Sequence, residues 1–185
     1  MSHEEHQTLE RHTIFEGKVV RLYLDRVRLP NGVVAEREVV GHWGAVGMVP
    51  LDDDGQVYLV RQYRHATGED LLEIPAGKLA PDEDPLECGV RELKEEIGCR
   101  AEEWIKLAAF YTSPGFSDEM LYLYLARNLE KGVAKPDEDE FLEILRLPIQ
   151  DALHLVARGD IKDSKTVAGL ALSYLYLKGE YLTFE

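Results

Sequence analysis

The 185-residue sequence is short of basic residues, of cysteine and of long apolar runs. It has 21 lysine and arginine residues against 35 aspartate and glutamate residues, which leaves a net charge of −14. A surface this negative repels phosphate backbones and anionic lipid, so the composition argues against a general nucleic-acid or membrane binder. No run of 18 apolar residues is present, and the polar, acidic start does not look like a secretory signal peptide. The two cysteines, Cys88 and Cys99, form no CxxC pair, which predicts a protein of the reducing cytoplasm.

The first third of the chain is predicted to form β-strands. The alternation of apolar and polar side chains and the turn signals between them predict strands over residues 14–20, 21–29, 33–40, 45–50 and 57–63. The Pro-Asn-Gly sequence at 30–32 predicts a hairpin turn, because Asn-Gly readily adopts positive φ. The acidic turn at 52–55 predicts a second hairpin with a more buried character. Long amphipathic strands of this kind need a further surface to pack on.

Helical signals begin near residue 84. Asp84 is a good N-cap, Pro85 suits the first helical position, Glu87 completes a capping box and Gly98 is a natural C-cap. Further strands are predicted over 104–111, 120–126 and 141–147, and further helices over 148–157 and 164–178. The chain is therefore predicted to belong to the α/β (α+β) class, as a mixed sheet covered by helices.

Three glutamates share one face of the helix that follows Asp84. Glu92, Glu95 and Glu96 stand at i, i+3 and i+4, and like charges at these spacings destabilise a helix by about 0.2–0.5 kcal/mol per pair. A solvated acidic surface is one interpretation. The other is a site for a hard cation such as Mg²⁺, which prefers carboxylate oxygens. An apolar stripe is predicted roughly 130° away on the wheel, formed by Leu86, Val90, Leu93 and Ile97.

The spacing around these glutamates matches a known motif. Gly77 is followed after five residues by Glu83 and after seven more by the segment RELKEEIGC at 91–99. This pattern resembles the Nudix box, and all seven of its polar or glycine positions match. Cys99 occupies the last aliphatic position, where a buried thiol behaves as a small hydrophobe. Chance agreement is on the order of one in a hundred million, so the resemblance favours the cation site.

The resemblance to Nudix hydrolases implies a fold and a ligand set. It implies a mixed β-sheet sandwiched between helices, with the box as a loop-helix-loop and an N-terminal antiparallel β arm. It implies that Glu92, Glu95 and Glu96, with the carbonyl of Ala76, bind Mg²⁺ or another divalent cation such as Mn²⁺. Arg91 is expected to orient a box carboxylate, because a guanidinium can fix a carboxylate rotamer through two hydrogen bonds.

Segments outside the box resemble the ADP-ribose pyrophosphatase branch of the family. They are LEIPAG at 72–77, RQYR at 61–64, SPGF at 113–116 and DEDEF at 137–141, and the likeness extends from about residue 14 to residue 177. It implies Mg²⁺-dependent hydrolysis of ADP-ribose to AMP and ribose 5-phosphate. The substrate-binding residues that it implies are Arg37, Arg64, Pro114, Gly115 and Phe116.

The resemblance also implies a general base. A bound cation would lower the pKa of the water that attacks one phosphorus in line, and a base within hydrogen-bond reach would take its proton. In relatives this base lies on an acidic loop that corresponds to residues 137–140. Glu138 is our first choice and Glu140 our second, with a solvated loop as the alternative. The predicted catalytic residues are therefore Glu138, Glu140, Glu95 and Arg91.

Relatives of this branch are homodimers in which N-terminal strands cross to the partner. We therefore expect a dimerising β arm over 1–43 and a hydrolase domain over 44–185, acting on a small molecule. The segment that corresponds to the adenine-stacking position contains no aromatic residue, which leaves Phe15, Tyr23 and Tyr63 as alternatives.

Two other functions stay open. The box is suited to any pyrophosphate, so the substrate could be another nucleoside diphosphate derivative such as GDP-mannose, FAD or a dinucleoside polyphosphate. The chain could also be a sensing domain that binds ADP-ribose without cleaving it. Sensing domains typically lose box glutamates or carry a DNA-binding extension, whereas this sequence keeps every box carboxylate.

Overall fold

The computed structural model of the chain describes residues 6–136 and 140–180. The chain divides into two compact units, Met1–Gly44 with Phe110–Met120, and Ala45–Ala109 with Leu121–Glu185. No helix within the described residues is long and apolar enough to cross a membrane. The elements are β1 (Gln7–Glu16), β2 (Arg21–Arg28), β3 (Val34–Gly41), β4 (Ala45–Pro50), β5 (Gln56–Arg64), β6 (Glu69–Glu73), β7 (Ala76–Lys78), α1 (Pro85–Ile97), β8 (Cys99–Tyr111), β9 (Met120–Lys131), β10 (Glu143–Pro148), α2 (Ile149–Arg158) and α3 (Ser164–Leu177).

The first unit contains the predicted antiparallel arm. Strands β1, β2 and β3 form a three-stranded sheet in that order, and the β2–β3 hairpin turns at Gly32, whose φ is 82°. The predicted hairpin is therefore confirmed. Strand β1 begins at Gln7, not at residue 14, and its pairing with β2 shifts register twice. Such irregularities break the period-two alternation by which a strand is recognised in a sequence.

The predicted second hairpin is wrong. Strand β4 pairs with β7 and, in parallel, with β9, whereas β5 pairs with β10 and β6 in another sheet. A single bridge between Leu51 and Val57 spans the turn. Residues 46–50 of β4 are all buried, as expected for a strand covered on both faces. Its partner β9 lies far along the chain, so local alternation carries no information about this pairing.

The second unit contains the predicted sheet between helices. Val46 and Met48 of β4 lie against Gly89 of α1, at 3.4 and 3.6 Å from the position that a Cβ atom would take. Val49 lies 3.0 Å from the corresponding position at Gly169 of α3. Because neighbouring residues of a strand point to opposite faces, α1 and α3 cover opposite sides of β4. The predicted architecture is confirmed.

Helix α1 has the predicted ends. The Asp84 carboxylate accepts hydrogen bonds from the amides of Leu86 and Glu87 at 2.9 and 3.1 Å. Gly98 ends the helix in the left-handed conformation, with φ 68°. Both caps satisfy backbone groups that the helix itself leaves unpaired.

The packed face of α1 differs from the predicted stripe. Leu93 and Ile97 are buried, but Leu86 and Val90 are 37% and 45% exposed. The buried face runs through Gly89, whose Cβ position lies within ordinary van der Waals distance of Val46 and Met48 of the sheet. Glycine contributes little hydropathy on a helical wheel. The predicted apolar stripe therefore lies too far towards Val90.

Strands β6 and β7 were not predicted, and the bounds of β8, β9 and β10 differ from the prediction by two residues or more. Strand β8 begins at Cys99, five residues before the predicted start, and β9 continues to Lys131. Strand β10 begins at Glu143, two residues later than predicted. Strand β7 has only three residues, which is too few for a periodic pattern.

Two glycines of this helix should respond oppositely to alanine. An added Cβ at Gly89 meets only ordinary contacts, so Gly89→Ala should stabilise the protein by up to about 1 kcal/mol through helix propensity. At Gly98 the same atom would lie 2.4 Å from the Ala134 nitrogen at positive φ, so Gly98→Ala should destabilise by about 2 kcal/mol or more. Urea unfolding of both variants beside the wild type measures the two effects, and shifts of the same sign would contradict this account.

Candidate active site

The loop before α1 rests against the helix glutamates. The Ala76 amide donates a hydrogen bond to Oε2 of Glu96 at 3.2 Å, and the Met48 amide donates to the carbonyl of Pro75 at 2.9 Å. A Cβ atom at Gly77 would lie 2.2 Å from Cγ of Glu92. Glycine is therefore required at residue 77 for this packing, because any side chain would displace that carboxylate.

Arg91 bridges three of the box glutamates. Its Nη1 donates to Oε1 of Glu92 at 2.7 Å and to Oε2 of Glu95 at 3.1 Å, and its Nη2 donates to Oε1 of Glu83 at 3.1 Å. Glu83 also accepts from the Ala80 amide at 2.8 Å, so it ties the preceding turn to the helix. This is the geometry that the predicted orienting role of Arg91 requires.

Glu96 is buried without a basic partner. It is 4% exposed and forms no ion pair within residues 6–136 and 140–180. Burial, together with the charges of Glu92 and Glu140, raises the pKa of Glu96 to about 8, although the Ala76 amide and Arg64 oppose the shift. Burial also raises the pKa of Glu92 despite its bond to Arg91. Within the described residues Arg91 pairs with Glu92 and Glu95, whereas Glu96 has no such partner, so a further positive charge would be needed to favour its ionised form.

These residues fit a divalent cation by charge and by donor type. Carboxylate oxygens are the ligands that Mg²⁺ and Mn²⁺ prefer, and a cation would offset the repulsion between Glu92 and Glu96. The described part of the chain contains no preformed group of three acidic, histidine or cysteine side chains arranged as a metal site. Two of the three glutamates are instead oriented by Arg91, and Glu96 by the Ala76 amide.

Of the two candidate bases, only Glu140 lies within the described residues. The amide of Lys135 donates to the carbonyl of Glu95 at 2.8 Å, so the chain after β9 passes the end of α1. Glu140 is half-buried and close enough for its charge to raise the pKa of both Glu92 and Glu96. Glu138, the first choice, lies outside the described residues.

Arg64 forms an ion pair with the buried Glu73 close to the box. Its Nε and Nη2 donate to the two carboxylate oxygens of Glu73, both at 2.8 Å, while its side chain stays 40% exposed. Burial opposes ionisation of Glu73, but the bonds from Arg64 and Lys165 hold its pKa below the usual range. Glu96 adds to the electrostatic stabilisation of the Arg64 charge, so the guanidinium lies near the box carboxylates.

The other predicted substrate-binding residues belong to the first unit. Arg37 is exposed on β3, and its Nη1 donates to the carbonyl of Glu36 at 2.8 Å. The SPGF turn is held to β3 by a hydrogen bond from the Val40 amide to the carbonyl of Phe116 at 2.7 Å. The Phe116 side chain is 57% exposed. Pro114 and Gly115 form the tip of this turn.

Three residues near the box were missed by the sequence reasoning. They are Asp163, Lys165 and Thr166, at the start of α3. Lys165 and Thr166 bond to Glu73 and Ile74, which lead into the box, and Asp163 bonds to both of them. Asp163 carries a recognisable N-cap signal, and its carboxylate does accept from the Thr166 amide at 3.0 Å. No local pattern could pair Lys165 with Glu73, which lies 92 residues earlier.

The fold and the box together define a Nudix domain. Residues 41–170 match the family model described as the NUDIX domain, and residues 7–40 match the nucleoside diphosphate sugar hydrolase N-terminal domain. The chain belongs to the Nudix hydrolase family, whose members generally use divalent cations.

Individual relatives match over most of the chain. It is 43% identical to an ADP-ribose pyrophosphatase of Bacillus subtilis, over 94% of both chains. It is also 43% identical, over 94% of both chains, to a protein of Bacillus methanolicus named methanol dehydrogenase activator. A crystal structure of an ADP compounds hydrolase superimposes with a TM-score of 0.85 at 25% identity, covering 97% of this chain and 98% of the other.

Cation binding should be visible without any substrate. Mg²⁺ or Mn²⁺ at about 100 times its Kd should stabilise the wild type by about 2.7 kcal/mol, because only the folded protein gathers the glutamates. Glu96→Gln should lose most of this stabilisation. In metal-free buffer near neutral pH it should be at least as stable as the wild type, because burial raises the pKa of Glu96 to about 8 and glutamine does not incur the cost of protonating this carboxyl on folding. Thermal unfolding with and without the cation measures both effects.

Glu87→Gln is the matched control, because Glu87 is exposed on the same helix. It should keep the cation-dependent stabilisation. An equal stabilisation in Glu96→Gln would show that Glu96 does not bind the ion.

Proposed function

We propose that this Nudix hydrolase cleaves the pyrophosphate bond of ADP-ribose and releases AMP and ribose 5-phosphate. The observation that carries the proposal is the pair of carboxylates Glu92 and Glu96, because burial raises the pKa of both and, within the described residues, Glu96 has no basic partner beside the Glu92–Arg91 pair. Such a pair can hold a cation beside an anionic substrate. The name and the 94% coverage of the Bacillus subtilis relative support ADP-ribose as the substrate.

The cation would be Mg²⁺ or Mn²⁺, held by Glu92, Glu95, Glu96 and the carbonyl of Ala76. When bound, it supplies positive charge to the diphosphate and lowers the pKa of water. Arg91 contributes by fixing the carboxylate rotamers of Glu92 and Glu95, with hydrogen bonds of 2.7 and 3.1 Å. A fixed ligand geometry is needed because Mg²⁺ requires a near-octahedral shell.

The remaining groups bind the substrate and move the proton. Arg64 has one edge of its guanidinium engaged by Glu73 and is 40% exposed, so its other edge is available for a phosphate oxygen. We propose further substrate contacts at Arg37, Pro114, Gly115 and Phe116. Water adds to one phosphorus and the bridging P–O bond breaks. The proton of that water passes to the general base, with Glu138 as first choice and Glu140 as second.

We also infer that the protein acts as a homodimer through residues 1–43, with residues 44–185 as the hydrolase domain. Every residue of β1 is exposed in the single chain, and Ile14 and Phe15 are 59% and 56% exposed. A strand with exposed apolar side chains is stabilised when a second copy covers it. Sedimentation equilibrium should give twice the 21.0 kDa chain mass, and a monomer mass at micromolar concentration would contradict this inference.

The substrate assignment predicts a selective, cation-dependent activity. With Mg²⁺ present, the wild type should release AMP from ADP-ribose with a kcat/KM at least about tenfold above that for GDP-mannose, FAD or a dinucleoside polyphosphate. Glu95→Gln keeps the shape of the side chain but removes its charge, and we expect kcat to fall by about 100-fold or more. Chromatography of the products measures both.

Glu87→Gln should retain wild-type turnover. If kcat/KM is higher for GDP-mannose, FAD or a dinucleoside polyphosphate, that compound takes the place of ADP-ribose as the assigned substrate. Tight ADP-ribose binding without AMP release would instead identify a sensing domain.

The same assay chooses between the two candidate bases. Replacing the true base with glutamine should lower kcat by about 10²- to 10⁴-fold and remove the acidic limb of the pH–rate profile, since that limb reports its protonation. The other replacement should affect kcat much less. Retention of full activity in both Glu138→Gln and Glu140→Gln would place the base elsewhere.

A further inference from the structure

A buried ion network joins α3 to the strand that leads into the box. Glu73 is 1% exposed and is bound on one side by Arg64 and on the other by the ammonium group of Lys165. Lys165 lies 3.0 Å from Oδ2 of Asp163 as well, and its side chain is only 15% exposed. Two cations and two carboxylates therefore balance each other, and of the four only Arg64 has a side chain as much as 40% exposed. Removing one of them leaves a buried charge unpaired.

The same turn of α3 also holds the backbone. The hydroxyl of Thr166, which is fully buried, accepts a hydrogen bond from the Ile74 amide at 2.9 Å and donates to Oδ2 of Asp163 at 2.5 Å. The side chain of Ile74 lies 3.0 Å from the Cβ position of Gly47 and 3.1 Å from that of Gly169. Residue 74 is thus fixed through both its backbone and its side chain.

These contacts affect two parts of the site that the proposed reaction uses, namely the Arg64 side chain and the segment at 75–77. Glu73 determines the direction of Arg64, and residue 74 is two residues before Ala76, whose amide bonds Glu96. We propose that Lys165 and Thr166 are positioning residues: α3 sets the orientation of Arg64 towards the substrate diphosphate and the place of the loop at 75–77. This rests on the proposed function, which supplies the diphosphate.

The contribution of Lys165 to this network can be tested by substituting it alone. Its ammonium group neutralises Glu73, so that Arg64 does not have to balance this buried carboxylate alone. Without Lys165, the full charge of Glu73 would draw Arg64 inwards and away from a phosphate oxygen. Substrate affinity should then suffer more than the chemical step, because the box glutamates and the base are unchanged.

The experiment compares Lys165→Met with Lys162→Met in the full-length chain. Lys162 is the matched control, because it is an exposed lysine just before α3 that pairs with Glu69 at 2.5 Å. In Lys165→Met we expect the Kd of a non-hydrolysable ADP-ribose analogue and the KM to rise about tenfold, with kcat within about threefold of the wild type. Both constants should stay within about twofold in Lys162→Met. Lys165→Gln replaces Lys165→Met if the methionine variant does not fold.

A double-mutant cycle tests whether Lys165 acts through Glu73. Adding Lys165→Met to Glu73→Gln should change Kd by less than about twofold, because the carboxylate that Lys165 neutralises is already gone. Additive effects would overturn the positioning role. So would a loss confined to kcat, or equal constants in the Lys165 and Lys162 variants.

Amide hydrogen exchange of residues 73–77 gives a readout that needs no activity. Exchange there should be faster in Lys165→Met than in Lys162→Met, and equal rates would overturn the inference. If the wild type hydrolyses no nucleoside diphosphate derivative, the proposed function fails, and the exchange measurement alone still decides whether α3 holds this loop.

Discussion

Among the described residues of the second unit two carboxylates are buried, and the site depends on the difference in what surrounds them. Glu73 is 1% exposed and is bound by Arg64 and Lys165, which hold its pKa below the usual range. Glu96 is 4% exposed, its one hydrogen bond within the described residues comes from a backbone amide, and its pKa rises to about 8. The charge of Glu73 is balanced by basic side chains of the protein. The carboxylate of Glu96 is stable as an anion only beside an external cation.

The segment at 73–77, which runs from the end of β6 into β7, connects these two environments. At one end the side chain of Glu73 and the amide of residue 74 are attached to α3; at the other, Ala76 and Gly77 lie against the glutamates of α1. The two helices cover opposite faces of β4, so this segment is held from both sides of the sheet. A rigid element of this kind suits a site whose ligands must be placed accurately.

Local signals in the sequence were sufficient for the box and its helix. Asp84 and Gly98 mark the ends of α1 because capping depends on neighbouring residues alone, and both caps are present. The box motif identified the family, which the matches over 41–170 and 7–40 confirm. Pairing across the chain was beyond such signals. The apparent hairpin of β4 and β5 is wrong because β4 pairs with β9, which local alternation cannot reveal.

Helical geometry and motif spacing are local properties, so the amino-acid pattern alone places Glu92, Glu95 and Glu96 on one helical face behind a glycine. The folded chain shows in addition that Glu96 is buried without a basic partner among the described residues while Glu95 is half-exposed, and that Lys165 reaches Glu73 from 92 residues away. Burial and electrostatic balance depend on which distant segments pack around a side chain. In this protein both properties result from the packing of α1 and α3 on opposite faces of β4.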